Sequence, residues 1–210
     1  MITIKQIRRR TALGIGAVAL AGAAAASLGL TAASAASVAT PAAGSHNGSF
    51  TFALVPSPGI RACLPHAGGF VTITPGSQND VMQVSVFGMP RNAEFDLFVI
   101  QQPLKPFGVS WYQSDVNADS HGTGHATVRG IFDRETFSVS PGGTTTFAPT
   151  HQFHLGLWFN DPALPFKLGC EPGASAPVVT PFNGEQHAGI QVLNTAEFPV
   201  NAGPLSRVHR

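Results

Sequence analysis

From residue 49 onward, apolar and polar side chains alternate in short runs separated by turn-forming residues. In residues 81–87, Met82, Val84 and Val86 fall on one side, and Gln83 and Ser85 on the other. Residues 94–101 set Phe95, Leu97 and Val99 against Glu94 and Asp96. A period of two marks a half-buried strand, because successive Cβ atoms point to opposite faces of a sheet. Residues 49–55, 69–74, 109–116, 123–132, 134–140 and 187–195 read as further strands. Residues 152–160 carry the strongest signal, with Phe153, Leu155, Leu157 and Phe159 facing a core. Between 109–116 and 123–132, the stretch from Asn117 to Gly122 supplies the Asn, Asp, Ser and Gly that a tight reversal needs, which predicts a hairpin. Residues 161–185 contain five prolines and several glycines, and predict a long irregular loop. No helical period appears beyond residue 35. The pattern predicts one all-β domain over 49–200, an antiparallel β-sandwich of Ig-like or jelly-roll-like type or a barrel-like variant, with about eight or nine short strands. Residues 201–210 read as a C-terminal tail.

The first 35 residues follow a different pattern. Arg8, Arg9 and Arg10 form a basic head, an Ala-, Gly- and Leu-rich run extends over 12–30, and Ala33-Ser34-Ala35 closes it. That order reads as a secretory signal peptide with cleavage before Ala36. The run is nearly long enough to span a bilayer, but its Ala and Gly content makes insertion weak. Residues 36–48 are small, polar and Pro-containing, and read as a flexible leader. The reading places the protein outside the cell, with no stable membrane insertion after cleavage. The general secretory and twin-arginine routes both remain open.

Composition narrows the partners. The whole chain has a net charge of +1, but four of its 12 basic residues lie in the leading segment. Eight basic residues then face 11 acidic ones, a balance of −3. No Lys/Arg run remains, so nucleic acid and anionic membrane surfaces are poor candidate partners, and no nucleic acid is expected. The core is built on Phe, with 15 Phe against one Tyr. Cys63 and Cys170 are the only cysteines, and in an exported chain they read as one disulfide.

Several stretches carry a resemblance. Residues from Phe87 to Leu97 (FGMPRNAEFDL) are similar to the turn-plus-strand of Ig-like extracellular sandwiches, and Asp119 to Gly124 (DSHGTG) resembles the hairpin that follows in such domains. Residues 154–160 and 180–195 also look like a family of uncharacterised secreted bacterial proteins. The resemblance covers most of 80–195, and implies an Ig-like β-sandwich and an extracellular location without a known activity.

Histidine is the one enriched chemical group, with all eight residues after position 35. A metal site drawing one ligand from each of several strands would use His125, His154 and His187; the alternative is ordinary surface and loop histidines. Trp158 shares a face with His154 and Gly156, opposite the Phe/Leu row. It reads either as a platform for a sugar or peptide or as a ring packed under the 161–185 loop. Trp111 and Tyr112 are similarly two-sided. Gly-x-Ser-x-Gly, His-Glu-x-x-His and a Gly-rich phosphate loop are absent. No cofactor is therefore expected. The expected function is a non-catalytic extracellular module that binds a glycan or protein through loops 102–108 and 161–185. A secreted hydrolase or metal-dependent enzyme using the histidines, and a structural cell-surface component, are the alternatives.

Overall fold

The structure is a computed structural model that describes residues 48–132, 153–182 and 186–208. The expected strand at 134–140 and the leading segment lie outside the described residues.

Alternating residues become strands where the sequence placed them. They are β1 (Phe50–Pro56), β2 (Gly68–Thr74), β3 (Asp80–Phe87), β4 (Glu94–Ile100), β5 (Ser110–Asn117), β6 (Gly124–Gly130), β7 (His154–Phe159) and β8 (Gln191–Asn194). All pairings are antiparallel, in the order β5-β4-β7-β8-β1-β2-β3-β6. The eight strands form one continuous sheet. β1 holds it together by changing partner along its length. Phe50 to Leu54 pair with β2, and Val55 and Pro56 pair with β8.

The expected hairpin at 109–132 forms its turn but not its ladder. β5 pairs with β4 and β6 with β3, and a single bridge, Ala118 to Gly124, joins the two arms. The arms therefore separate to opposite ends of the strand order. The turn draws those ends together and makes the sheet nearly closed and barrel-like. Asp119 builds this turn: Oδ1 accepts from the His121 and Thr123 amides at 2.7 and 3.0 Å, and Oδ2 accepts from the Thr123 hydroxyl at 2.8 Å. These donors, those of Thr123 foremost, lower its pKa to about 2. Gly122 has φ of 77°, and a side chain there would strike the Met89 carbonyl.

The inward residues fill the barrel: Phe50, Phe52 and Leu54, Val71 and Ile73, Met82, Val84 and Val86, Phe95 and Leu97, Leu155, Leu157 and Phe159. The row Phe153, Leu155, Leu157 and Phe159 faces the core as its alternation predicts. The expected tail does not hang free. A 3-10 turn at Pro204–Arg207 buries Leu205, whose amide donates to the Phe153 carbonyl at 3.3 Å, and Arg207 lies 4.6 Å over the Phe50 ring.

Two short helices escape the periodic pattern because each is about one turn long. These are α1 (Ile60–Cys63) and α2 (Ala163–Lys167). They carry the chain to the Cys63–Cys170 disulfide, which is formed as expected. No helix among the described residues is long and apolar enough to cross a membrane.

Candidate functional site

The outer face of β4 and β7 is buried too, which the alternation did not predict. Phe98, Ile100 and Trp158 point outward and are covered by Phe182 and Ala188, with Phe107 packed alongside. Phe182 stacks on Phe98 at 4.2 Å, and both Phe107 and Phe182 meet Trp158 edge-on at 4.9 Å. The covering rings come from the two loops expected to carry function. Trp158 therefore has no exposed surface. It is a packing residue under the loops, not an open platform, and its Nε1 is buried without a hydrogen-bond acceptor. The space over Gly156 is taken by the Trp158 ring and the Gln191 amide, which a Cβ at that position would overlap. Asp96, expected on a polar face, is buried and accepts from Asn160 Nδ2 at 3.1 Å.

The histidines are not gathered. His125 lies exposed on β6 beside Ser85 Oγ at 3.0 Å, and His187 is exposed ahead of β8. His154 is buried. Its Nε2 donates to the Val200 carbonyl at 3.1 Å, which leaves Nδ1 to accept from the Thr195 hydroxyl at 2.9 Å. Burial holds its pKa below the ordinary imidazole value of 6.5, against the raising effect of its carbonyl acceptors. Among the described residues, no three His, Cys, Asp or Glu side chains converge to hold a metal. The set His125, His154 and His187 is thus not assembled: parity gives the face a residue takes on its own strand, not its distance from residues on other elements.

Trp111 is half-buried against the barrel core, while Tyr112 is 50% exposed and donates its hydroxyl to Asp115 Oδ1 at 2.7 Å. The Tyr112 ring meets Phe98 edge-on at 5.8 Å. Trp111 and Tyr112 face opposite ways, as neighbours on a strand must. They form no common surface.

What the fold does build is a cleft of about 500 Å³ beside the outer face of β8, where Gln191 lines it. One wall is the β4–β5 loop, with Leu104, Lys105 and Phe107; the other is the segment from Cys170 to Thr180, with Glu171, Pro172, Ala174 and Val178. Ser57, Ile190 and Gln191 form its floor. Both walls are anchored. Gln102 donates its amide to the Phe107 carbonyl at 3.0 Å, and Gln101 Oε1 accepts from the Val109 amide at 2.9 Å. Gln191 Nε2 donates to the Pro103 carbonyl at 3.0 Å, tying that loop to β8. The disulfide ties the second wall to α1.

Beneath the cleft lies a closed polar network. Ser57 Oγ donates to Gln191 Oε1 at 2.9 Å, and Asn194 Nδ2 donates to Ser57 Oγ at 2.9 Å and to Gln191 Oε1 at 3.2 Å. Asn194 Oδ1 accepts from the Ala196 amide at 2.8 Å. Each buried polar group finds a partner, so the network fixes the floor without stored cost. Ser57 is no nucleophile here, since an amide carbonyl cannot take up its proton as a base. Glu171 is held differently. Its Oε2 accepts from the Val178 amide at 2.9 Å, while Oε1 is buried and accepts nothing.

Sequence reasoning named the two loops but missed Ser57, Glu171, Gln191 and Asn194. Ser57 and Gln191 are 134 residues apart, and nothing local to either predicts their meeting. The position of Glu171 beside Cys170 was the one available signal. No protein-family model matches the chain, and no curated protein matches it.

Proposed function

We propose that the chain is an exported, non-catalytic binding module whose ligand seats in the cleft between the β4–β5 loop and residues 170–180. The observation that carries this reading is the cleft, about 500 Å³ between two anchored loops. Small-ligand sites run from roughly 300 to 1,000 Å³, with mostly apolar walls and a few placed polar groups. Leu104, Phe107, Pro172, Val178 and Ile190 supply the apolar wall, and Glu171, Lys105, Thr180 and Gln191 the polar points. The lining offers one carboxylate, one amine and no imidazole, a poor set for hydrolysis, where a paired acid and base is the usual need. The basic head, apolar run and small-residue site of the leading segment support export, as do the disulfide and the resemblance to secreted Ig-like modules.

The test uses the exported protein carrying Trp111→Phe, which leaves Trp158 as its single indole. Phe107 lines the cleft and touches Trp158, so an occupant perturbs Trp158 emission. A panel of small amphipathic compounds is titrated, following emission and the thermal midpoint. Binding raises the midpoint, and Ala174→Trp, which obstructs the cleft and is read by the midpoint alone, abolishes that rise. If no compound moves either signal, or if Ala174→Trp leaves binding unchanged, the reading fails.

A further inference from the structure

The two polar ends of the cleft lining are unequal. Lys105 stands exposed on its loop, where solvent screens its charge. Glu171 is drawn inward. One oxygen is satisfied by the Val178 amide, and the other lies out of solvent with no donor. A carboxylate oxygen left this way is costly, and the cost is relieved only when a donor reaches it. Glu171 lines the cleft, and the chain turns directly after it: the Ala174 amide donates to the Glu171 carbonyl at 3.1 Å, and Gly173 has φ of 85°. With the backbone anchored, a donor from the cleft would meet Oε1 by a turn of the carboxylate about its last side-chain bond. The remaining lining is apolar, and Phe107 adds a ring on which a cation gains further attraction.

We propose that the cleft selects a small organic cation, an ammonium head on an apolar ring or short chain, with Glu171 Oε1 receiving the head and Phe107 and Ile190 holding the body. The proposal rests on the cleft being the binding site and adds the chemical class of its ligand. A charge-assisted hydrogen bond in a partly desolvated site favours the matching ligand by about tenfold or more over a neutral isostere. The overall excess of acidic residues outside the leading segment favours the same sign.

Three probes of one shape separate the outcomes: 2-phenylethylammonium, 2-phenylethanol and 3-phenylpropionate, titrated by calorimetry into the full exported protein. The cation is expected to bind about tenfold or more tightly than the alcohol, with the carboxylate weakest. Glu171→Gln retains an acceptor for the Val178 amide and is expected to bring cation and alcohol to equal affinity. Salt gives a second reading that needs no variant. Near 1 M salt the Debye length falls to about 3 Å, and the cation's advantage shrinks while alcohol binding holds. Equal affinities for all three probes, preference for the carboxylate, or a cation preference that survives both Glu171→Gln and high salt would overturn the proposal. In each of those cases the cleft remains a binding site if Ala174→Trp blocks the probes. If no probe binds at all, the cleft reading falls with it.

Discussion

Trp158 and His154 share one face of β7 and are both sealed from solvent, yet they fail under different stresses. Trp158 is held by rings from two loops and from β4, so Trp158→Ala empties a large apolar site. A loss of about 3–5 kcal/mol is expected in urea denaturation. Trp158→Phe is expected to cost clearly less, because it also removes an indole N–H that has no acceptor. His154 responds to pH instead. Its folded pKa lies below the unfolded value of 6.5, so the unfolded chain takes up the proton first. The stability it contributes is present above pH 6.5 and is lost as pH falls through the imidazole range. The denaturation midpoint is expected to stay flat on the alkaline side and drop on acidification below 6.5. His154→Gln should reduce that slope, as read from urea titrations at a series of pH values. Packing of Trp158 under the 161–185 loop was one of the two readings the sequence offered, whereas the burial of His154 was not legible from residues 152–160. The period of two placed the inner row correctly, and its polar-looking partners concealed a second buried face.

At the scale of elements, local chemistry was readable and long-range pairing was not. Asn117 to Gly122 announced a turn, and the turn exists, but β5 and β6 found better partners in β4 and β3. A hairpin ladder depends on what else competes for each edge, and that competition is invisible in a short window. The cleft shows the same division. Its two loops stood out by their Pro and Gly content, whereas Ser57, Gln191 and Asn194 meet only because β1 and β8 are neighbours. The disulfide was legible because the chain has two cysteines, which leave one pairing. Cys63→Ser with Cys170→Ser opens a loop of 107 residues. By loop entropy the stability loss is at most about 4–5 kcal/mol. Because Cys170 begins one wall of the cleft, the same pair of substitutions is expected to weaken probe binding in calorimetry before the barrel unfolds.

For the whole molecule, the position of β8 decides cohesion. It is four residues long and lies between β7 and β1, joining β5-β4-β7 to β1-β2-β3-β6. A chain ending at Gly189 is expected to lose its single cooperative transition in thermal circular dichroism. The two part-sheets that remain have three and four strands, and each exposes the apolar face it turned toward the other.

Among the described strands, the last in chain order is therefore the one that the architecture needs in its middle. As the polypeptide emerges from the ribosome, the earlier strands have no finished barrel to enter, however long they wait. The seam between the two part-sheets closes only once β8 is paired on both of its edges, to β7 on one side and to β1 on the other.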